Sequence, residues 1–445
     1  MLKTFPKGGV HPPDNKLSAG KPVEVLPVPE SVIIPLSQHI GAPSVAKVKV
    51  GDKVKTGTLI AEGSGFVSAN IHSSVSGTVK KVDAFFDTSG YKRMSVQIDV
   101  EGDEWEEGID LSDDLKKEIT DTVGDIVKKI TAAGIVGLGG ATFPAHVKLS
   151  VPPGKKAEMI VVNAVECEPY LTCDHRLMLE KGHEIMVGVS ILMKALNVKK
   201  AIIGIENNKP DAISHMQQCA ANYPQIEICP LKVKYPQGGE KQLIKATTGR
   251  EVPSGKIPVD VGIVPFNVAT SFAVYEAVQK NKPLVERLVT VTGKGLKHPA
   301  NYKVRIGTSV NKLIEAAGGM PETTGKIISG GPMMGKALAK TDIPTTKGCS
   351  GILLIEDNEA HRKQVRTCIR CAKCVSVCPM GLEPYLLMAV AERELWDRTE
   401  AERAADCIEC GSCSYTCPSS RPLLDYIRLG KAAVLKNIRA RAMVK

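Results

Sequence analysis

A duplicated cysteine run near the C-terminus constrains this chain more than any other feature. The two runs share the pattern C-x2-C-x2-C-x3-C-P and comprise Cys368, Cys371, Cys374 and Cys378 before Pro379, then Cys407, Cys410, Cys413 and Cys417 before Pro418. This is the ligand pattern of two-cluster ferredoxins, in which the fourth cysteine of each run binds the cluster of the other run. A chain with this pattern folds around metal clusters.

We therefore predict two [4Fe–4S] clusters with crossed ligands. Cluster 1 takes Cys368, Cys371, Cys374 and Cys417, and cluster 2 takes Cys407, Cys410, Cys413 and Cys378. Two zinc sites are the alternative, but structural zinc usually takes two well-separated ligand pairs rather than four cysteines in one short run. Because each cluster is a one-electron centre, the chain is expected to move electrons.

The rest of the composition limits the other classes of function. A length of 445 residues fits about three domains. The net charge is +10, but no basic stripe is interleaved with aromatic residues, so we expect no nucleic-acid partner. No run reaches the roughly 18 apolar residues of a membrane span, and no signal peptide opens the chain. We therefore expect a cytoplasmic protein whose remaining cysteines are free, mostly buried thiols: Cys167, Cys173, Cys219, Cys229 and Cys349.

The N-terminal hundred residues read as a lead-in followed by short strands. Residues 1–30 are rich in Pro and Gly and predict an extended segment without a core. Residues 32–100 alternate in short β runs and resemble a barrel-sandwich hybrid, the fold of lipoyl and biotinyl carriers. Carriers present a modifiable Lys on a hairpin tip, but residues 63–70 contain none. We expect this domain to dock or support rather than to swing.

The middle of the chain carries four polar stretches in an α/β pattern. A Gly-rich loop at 134–144 contains Gly137 and Gly139 and precedes Lys148; it is either a phosphate nest or an ordinary turn. The apolar run 159–162 predicts a buried strand that ends at a polar stretch, as in the ligand-binding edge of open α/β sheets. The polar positions that follow are Asn163, Glu166 and Glu168, then Gly238 and Glu240, then Asn267 and Thr270 before an apolar helix.

The order of these stretches resembles a known family. GxxGxGGATFP…K, NAVECEP, GGEK and FNVAT resemble the flavin- and NADH-binding subunit of respiratory complex I. With GGVHPPDNK, HSSVSGTVK and the two cysteine runs added, the chain from about Phe5 to Gly430 resembles the RnfC family, the flavin- and cluster-binding component of the Rnf electron-transport complex.

The resemblance implies roles for single residues. Contacts to FMN would come from Gly137, Gly139, Lys148, Asn163, Glu166, Gly238, Asn267 and Thr270. Glu168 and Glu240 would shape NADH binding, and Phe143 would stack on the adenine of NADH. The alternative is that the acids cap helices and that Phe143 is a core residue. The chain departs from the complex I pattern at Val165, which replaces an Asp, and at Val259, which replaces a second stacking Phe.

The predicted fold class is a multidomain α/β plus β protein. The segments are an N-terminal extension and barrel-sandwich hybrid (1–110), an FMN/NADH-binding α/β domain (111–283), an SLBB-like β-grasp (284–345), an α-helical ferredoxin domain with two [4Fe–4S] clusters (346–430) and a basic tail (431–445). Leu115, Ile119 and Val123 predict that a helix opens the α/β domain.

The resemblance implies the electron-entry component of an ion-translocating complex. NADH would give electrons to FMN, and these would pass to the two clusters and on to other Rnf membrane subunits, with ferredoxin reached through a partner, in either direction. The protein would be peripheral, on the cytoplasmic side of the cell membrane. Two alternatives stay open: a soluble cobalamin-reductase-like protein and a non-catalytic electron relay.

Overall fold

The N-terminal segment, residues 3–20, is held by other domains along its length in the computed structural model, which describes residues 2–443. Phe5 and Val10 are buried, with 2% and 7% of their surface exposed. Val10 pairs with Tyr235, and the Gly9 N–H donates to the Val377 carbonyl at 2.8 Å. Strand β1 (Val23–Val25) follows. The expectation of a lead-in without a core is wrong, because the segment obtains its core from its neighbours.

The next domain has the two small sheets of a barrel-sandwich hybrid. Its strands are β2 (Ser31–Pro35), β3 (Val45–Ala46), β4 (Lys53–Val54), β5 (Leu59–Glu62), β6 (Ile71–His72), β7 (Gly77–Phe86) and β8 (Lys92–Val100). They form sheets in the orders β2-β8-β7-β4 and β3-β5-β6 around a core that includes Ile34, Ile60 and Ile98. The β5–β6 loop lies against the α/β domain, since His146 is 2.9 Å from the Phe66 carbonyl oxygen. This contact agrees with a docking role.

The α/β domain is a four-stranded parallel sheet covered by helices. The strands β9 (Met159–Asn163), β10 (Ala201–Glu206), β11 (Ile226–Leu231) and β12 (Ile263–Asn267) lie in the order β11-β10-β9-β12. The helices are α1 (Val123–Ala132), α2 (Ala145–Leu149), α3 (Cys173–Glu180), α4 (Gly182–Leu196), α5 (Pro210–Ala220), α6 (Glu240–Thr248) and α7 (Val268–Gln279). Helix α1 begins later than predicted, with Thr122 as its N-cap, while Leu115 and Ile119 pack on the core as an irregular chain.

Helices α4 and α7 pack so closely that one contact requires glycine. A Cβ added to Gly188 would lie 1.9 Å from the Ser271 carbonyl oxygen. This close packing fixes α7, whose first residues belong to the candidate site described below.

The β-grasp domain is larger than the sequence predicts. Its elements are β13 (Glu286–Thr292), β14 (Ala300–Arg305), α8 (Val310–Ala316), β15 (Thr324–Ser329), β16 (Lys336–Ala337) and β17 (Gly351–Glu356). The six-stranded sheet has the order β1-β14-β13-β17-β15-β16. Strand β17 lies between β13 and β15, so the sheet extends past residue 345, where the sequence placed a boundary. Strand β1 adds an edge strand from the N-terminus.

The cysteine runs lie among short helices, as predicted. The helices are α9 (Asp357–Ala360), α10 (Lys373–Ser376), α11 (Pro384–Glu392), α12 (Trp396–Ala401), α13 (Ser412–Thr416) and α14 (Leu423–Met443). Helix α14 continues through residue 430 without a break, so the basic tail is helical to Met443, and the predicted tail's last residue, Lys445, lies outside the described residues. Among residues 2–443, none of the helices combines the length and the apolar character that crossing a membrane requires.

A buried lysine connects three of these domains. Lys347 is 1% exposed and donates at 2.7 Å to the carbonyls of Asn70 in the barrel domain and Gly134 in the α/β domain. Burial lowers the pKa of Lys347 to about 7. Between pH 7 and the usual lysine pKa of about 10.4, the unfolded chain therefore binds more protons at this position than the folded chain, and stability rises with pH.

We expect the free energy of unfolding of the wild-type chain, relative to Lys347→Met, to increase by roughly 2 kcal/mol between pH 7 and pH 9, since one pH unit is worth about 1.4 kcal/mol. Urea unfolding at pH 7, 8 and 9 measures this difference. Lys282→Met is the matched control: Lys282 is also buried, but Glu276 and Glu286 hold its pKa above the usual range despite burial. A pH-independent difference for Lys347→Met would contradict the prediction.

Candidate functional site: a polar crevice beside a four-cysteine cavity

Two asparagines lie side by side where the strand order of the parallel sheet reverses. Chain order runs from β9 to β10 and β11 on one side, whereas β12 lies on the other side of β9. Asn163 and Asn267 end β9 and β12 and are directly paired in the register. The Asn163 side chain donates to the Gly238 carbonyl at 2.8 Å, which brings a third stretch to the same edge. Ligands of open α/β sheets bind at such a switch point.

The Gly-rich loop closes over the start of helix α7. Its turn is held by the Gly137 N–H donating to the Phe143 carbonyl at 2.8 Å, and Leu138 N–H donates to the Thr270 hydroxyl at 2.9 Å. A Cβ on Gly139 would lie 3.3 Å from the Cβ of Asn267, so the loop touches the N-cap residue of the helix. Loop amides and a helix N-terminus together form an environment that favours an anion.

Lys148 adds a positive charge to this crevice. Its ammonium donates to the Pro265 carbonyl at 2.9 Å and lies 3.6 Å from the Glu240 carboxylate. Glu240 begins helix α6 and is about half exposed, with 46% of its side-chain surface accessible. Phe143 is half-buried in the Gly-rich loop. The structure thus places Lys148 and Glu240 in contact at the mouth of the crevice.

Sequence reasoning missed Asp174, which the structure places beside Glu166. The Glu166 carboxylate accepts the Asp174 N–H at 2.8 Å, and the Asp174 carboxylate accepts a hydrogen bond from Asn267 at 2.8 Å. Burial raises the pKa of Asp174 to about 7, and the neighbouring Glu166 contributes further. Asp174 can therefore hold or release a proton near neutral pH, at an oxygen in contact with Asn267.

Sequence reasoning also assigned no role to Lys16, although it lies in the GGVHPPDNK motif. Its ammonium donates to the carbonyls of Glu166, Glu168 and Leu171 at 2.9, 2.9 and 2.7 Å. Glu166 has a φ of +48°, a left-handed conformation that is unfavourable for a non-glycine residue. Three bonds from one ammonium hold this strained turn, so the N-terminal segment shapes the acidic loop.

Glu168 points toward the β-grasp domain. Its carboxylate accepts the N–H groups of Met333 and Met334 at 3.1 and 2.8 Å, and a Cβ on Gly331 would overlap it. Burial raises the pKa of Glu168 to about 7, although these hydrogen bonds act in the opposite direction. In this arrangement Glu168 connects two domains, and its part in NADH binding stays a prediction. Val165, the departure from the complex I pattern, is buried in an apolar cluster, while Val259 packs partly buried against the main core.

The crevice fits the chemistry of FMN. The donor set combines loop amides, two side-chain amides and one ammonium, which suit a phosphate and a ring with carbonyl acceptors. A Cβ on Gly238 would lie 3.2 Å from the Cys167 sulfur and 3.6 Å from Asn163, so the side of the crevice is open only because residue 238 is glycine. Gly137, Gly139, Lys148, Asn163, Gly238, Asn267 and Thr270 are brought to one crevice, with Glu166 adjoining through Asp174; their contacts to FMN stay predictions.

A cavity in the C-terminal domain is lined by one crossed set of cysteines. Its wall contains Cys378 from the first run and Cys407, Cys410 and Cys413 from the second, together with apolar side chains such as Leu387 and Ile427. Four sulfurs in an apolar enclosure fit a [4Fe–4S] cubane. This is the membership predicted for cluster 2.

The other four cysteines lie nearer the surface. Cys368 and Cys371 are exposed, and Cys374 and Cys417 are partly buried. Cys374 packs in the same apolar group as Cys417; burial raises the pKa of Cys374, and nearby Cys417 adds to the effect. The structure therefore describes a buried cysteine set and a surface cysteine set.

The buried set adjoins the crevice. The Tyr235 hydroxyl donates to the Cys410 carbonyl at 2.8 Å, and the Gly238 N–H donates to the Cys167 sulfur at 3.3 Å. Tyr235, Cys410, Cys167 and Ile408 belong to one packed apolar cluster. Cys167, Cys173, Cys219, Cys229 and Cys349 are free thiols, as predicted, and all but Cys167 are buried.

A separate cleft of about 570 Å³ opens between the barrel, α/β and β-grasp domains. It reaches Leu138, Asp174 and Ala269, but the other flavin-side residues are not part of its wall. We therefore locate the candidate site at the crevice and not in this cleft.

Four family models match the chain in the order predicted from the sequence. They are the RnfC barrel sandwich hybrid domain (residues 3–103), the Nuo51 FMN-binding domain (130–276), the SLBB domain (288–337) and the 4Fe-4S dicluster domain (360–418). The FMN-binding match contains every position predicted to contact FMN.

Two curated relatives are similar over nearly their whole length. The RnfC-type component of the proton-translocating ferredoxin:NAD(+) oxidoreductase complex of Clostridium ljungdahlii is 47% identical over 97% of this chain and 94% of its own. Its counterpart in the Na(+)-translocating ferredoxin:NAD(+) oxidoreductase complex of Acetobacterium woodii is 46% identical over 97% and 98%. Among solved structures, an NAD+-reducing [NiFe]-hydrogenase in the air-oxidized state matches 70% of this chain and 66% of its own at 17% identity and a TM-score of 0.50, a similarity of fold.

Proposed function

Because the chain belongs to the RnfC family of ferredoxin:NAD+ oxidoreductase complexes, we propose that it is the component through which electrons of NADH enter such a complex, or leave it in the reverse direction. It is an oxidoreductase subunit with an FMN-binding domain and a two-cluster ferredoxin domain. The single observation that carries the proposal is the contact between the Asn163–Asn267 crevice and the cavity lined by Cys378, Cys407, Cys410 and Cys413 through Tyr235.

The residues of the crevice have separate tasks in this proposal. Lys148, Gly139 and the N-terminus of α7 bind the FMN phosphate, and Asn163 and Gly238 orient the ring. Glu240 and Phe143 position NADH at the mouth. Bound FMN supplies the exchange between two-electron hydride chemistry and one-electron transfer. Asp174 holds a proton against the Asn267 amide, and Lys16 keeps the acidic loop in its strained turn.

The partners follow from the family. We propose that the chain attaches to the membrane subunits of an ion-translocating complex, on the cytoplasmic side where NADH is available, and reaches ferredoxin through one of them. The N-terminal barrel-sandwich domain and the full-length relatives favour this reading over a soluble cobalamin-reductase-like protein.

The experiment that tests the proposal is an anaerobic titration of the chain loaded with FMN and both clusters. We expect one equivalent of NADH to bleach the flavin absorbance and then to reduce the clusters. A flavin that dithionite bleaches but NADH does not would favour the alternative, a non-catalytic electron relay. The substitutions at Val165 and Val259 make this measurement decisive for the dehydrogenase.

A further inference from the structure

The two cysteine runs have the same backbone but different surroundings. Their turns read Cys368-Ile369-Arg370-Cys371-Ala372-Lys373 and Cys407-Ile408-Glu409-Cys410-Gly411-Ser412. The residue before the second cysteine is left-handed in both, with a φ of +55° at Arg370 and +57° at Glu409, and so is the residue after it. The runs can therefore be compared position by position.

The turn of the second run is a docking surface inside the chain. Ile408 packs with Val10 and Tyr235, and Cys410 accepts a hydrogen bond from Tyr235. A Cβ on Gly411 would lie 2.8 Å from the Met333 carbonyl oxygen of the β-grasp domain. This turn presents its cysteines to the part of the chain that holds the flavin crevice.

The turn of the first run has the same shape but faces solvent. Every residue from 361 to 373 is exposed. Ile369, the counterpart of Ile408, is 67% exposed, and Val365 is 53% exposed. Two cysteines of cluster 1, Cys368 and Cys371, are exposed beside these apolar side chains. The structure therefore leaves uncovered the turn whose equivalent is covered in the second run.

The charges of the two turns are opposite. Residues 360–382 contain five Lys or Arg residues and no Asp or Glu. Within residues 2–443, only Arg362 of these five forms an ion pair, with Asp425, whereas Lys363, Arg366, Arg370 and Lys373 form none. In the second run Glu409 stands in place of Arg370, and its charge is neutralised by Arg428 and Lys431. An unneutralised basic rim around exposed cluster ligands attracts an acidic surface.

We propose that the turn 365–373 is the docking surface through which cluster 1 exchanges electrons with an acidic protein that carries its own one-electron centre. Ile369 and Val365 supply the apolar contact, and Arg366, Arg370 and Lys373 supply the steering charge. A protein is the occupant, because the equivalent turn of the second run is covered by protein in this same chain. The inference rests on the proposed function only in requiring that cluster 1 exchanges electrons.

The test uses an acidic flavodoxin as the probe and the cluster-loaded full chain, reduced by dithionite instead of NADH. Arg370→Glu combined with Lys373→Glu should slow flavodoxin reduction at low salt by about tenfold or more, the scale of electrostatic steering, and the difference should vanish at high salt. The same variant should reduce basic cytochrome c faster than the wild type. Fluorescence anisotropy of labelled, oxidised flavodoxin should show weaker binding in parallel.

The matched control reverses two exposed lysines elsewhere, Lys199→Glu and Lys297→Glu, which form no ion pair within residues 2–443. Iron content confirms that the turn still holds its cluster, and Glu409 shows that glutamate is compatible with this turn. Equal slowing in the control, or unchanged rates for both probes, would overturn the proposal. Binding to anionic vesicles but not to flavodoxin, abolished by the turn variant, would overturn it in favour of a lipid surface. Because dithionite supplies the electrons, failure of NADH oxidation would leave this result readable.

Discussion

Replacing Cys378 with alanine is expected to remove the cluster whose other ligands are Cys407, Cys410 and Cys413, and to leave the cluster of its own run in place. The reason is geometric: Cys378 lines the same cavity as the three cysteines of the second run. Iron and sulfide should fall from about eight to about four of each per chain, since a cubane holds four of each. Anaerobic reconstitution followed by elemental analysis and low-temperature EPR measures both the amount and the identity of the cluster that remains.

The matched variant is Cys417→Ala, which should remove the more exposed cluster of Cys368, Cys371 and Cys374. The EPR signals that survive in the two variants should therefore be different and should add up to the wild-type spectrum. Loss of the signal belonging to the variant's own run would contradict the crossing. Stoichiometric zinc without sulfide in the wild type would exclude both clusters.

The second large effect is the separation of flavin reduction from onward electron transfer. Cys371→Ala combined with Cys410→Ala should leave the loaded flavin bleachable by NADH, while reduction of a cluster-dependent acceptor falls to background. The crevice residues lie between 137 and 270, and the cysteines begin at residue 368, so each set can be changed without touching the other. Anaerobic stopped-flow absorbance follows both signals in one sample.

Glu240→Ala and Phe143→Ala should have the opposite effect. Both residues lie at the mouth of the crevice, and loss of a positioning contact can cost roughly 10²-fold in rate, so flavin bleaching by NADH should slow on that scale. The clusters of these variants should still be reduced by dithionite. If neither substitution changes the bleaching rate, NADH is positioned by other residues, and the roles given to Glu240 and Phe143 fail.

The sequence was sufficient where chemistry depends on local spacing. The cysteine runs, the strand 159–163 and the asparagines at the ends of β9 and β12 could all be read from short stretches. The contacts that it could not predict join residues far apart in the chain. Lys16 and Glu166 are separated by 150 positions, and the Met333 amide that binds Glu168 by 165. Strand β17 was missed because its place between β13 and β15 depends on register, not composition.

The N-terminal segment also determines the order in which this protein can be completed during synthesis. The first residues to leave the ribosome have partners that are made much later: β1 pairs with residues 301–303, and Gly9 binds the carbonyl of Val377. Pairing across such separations closes long loops and is slow. Phe5 and Val10 therefore remain uncovered through most of translation and are a target for chaperones that bind apolar chain. The acidic loop that Lys16 holds can close early, whereas the attachment of the N-terminal segment to the cluster domain is a late step of maturation.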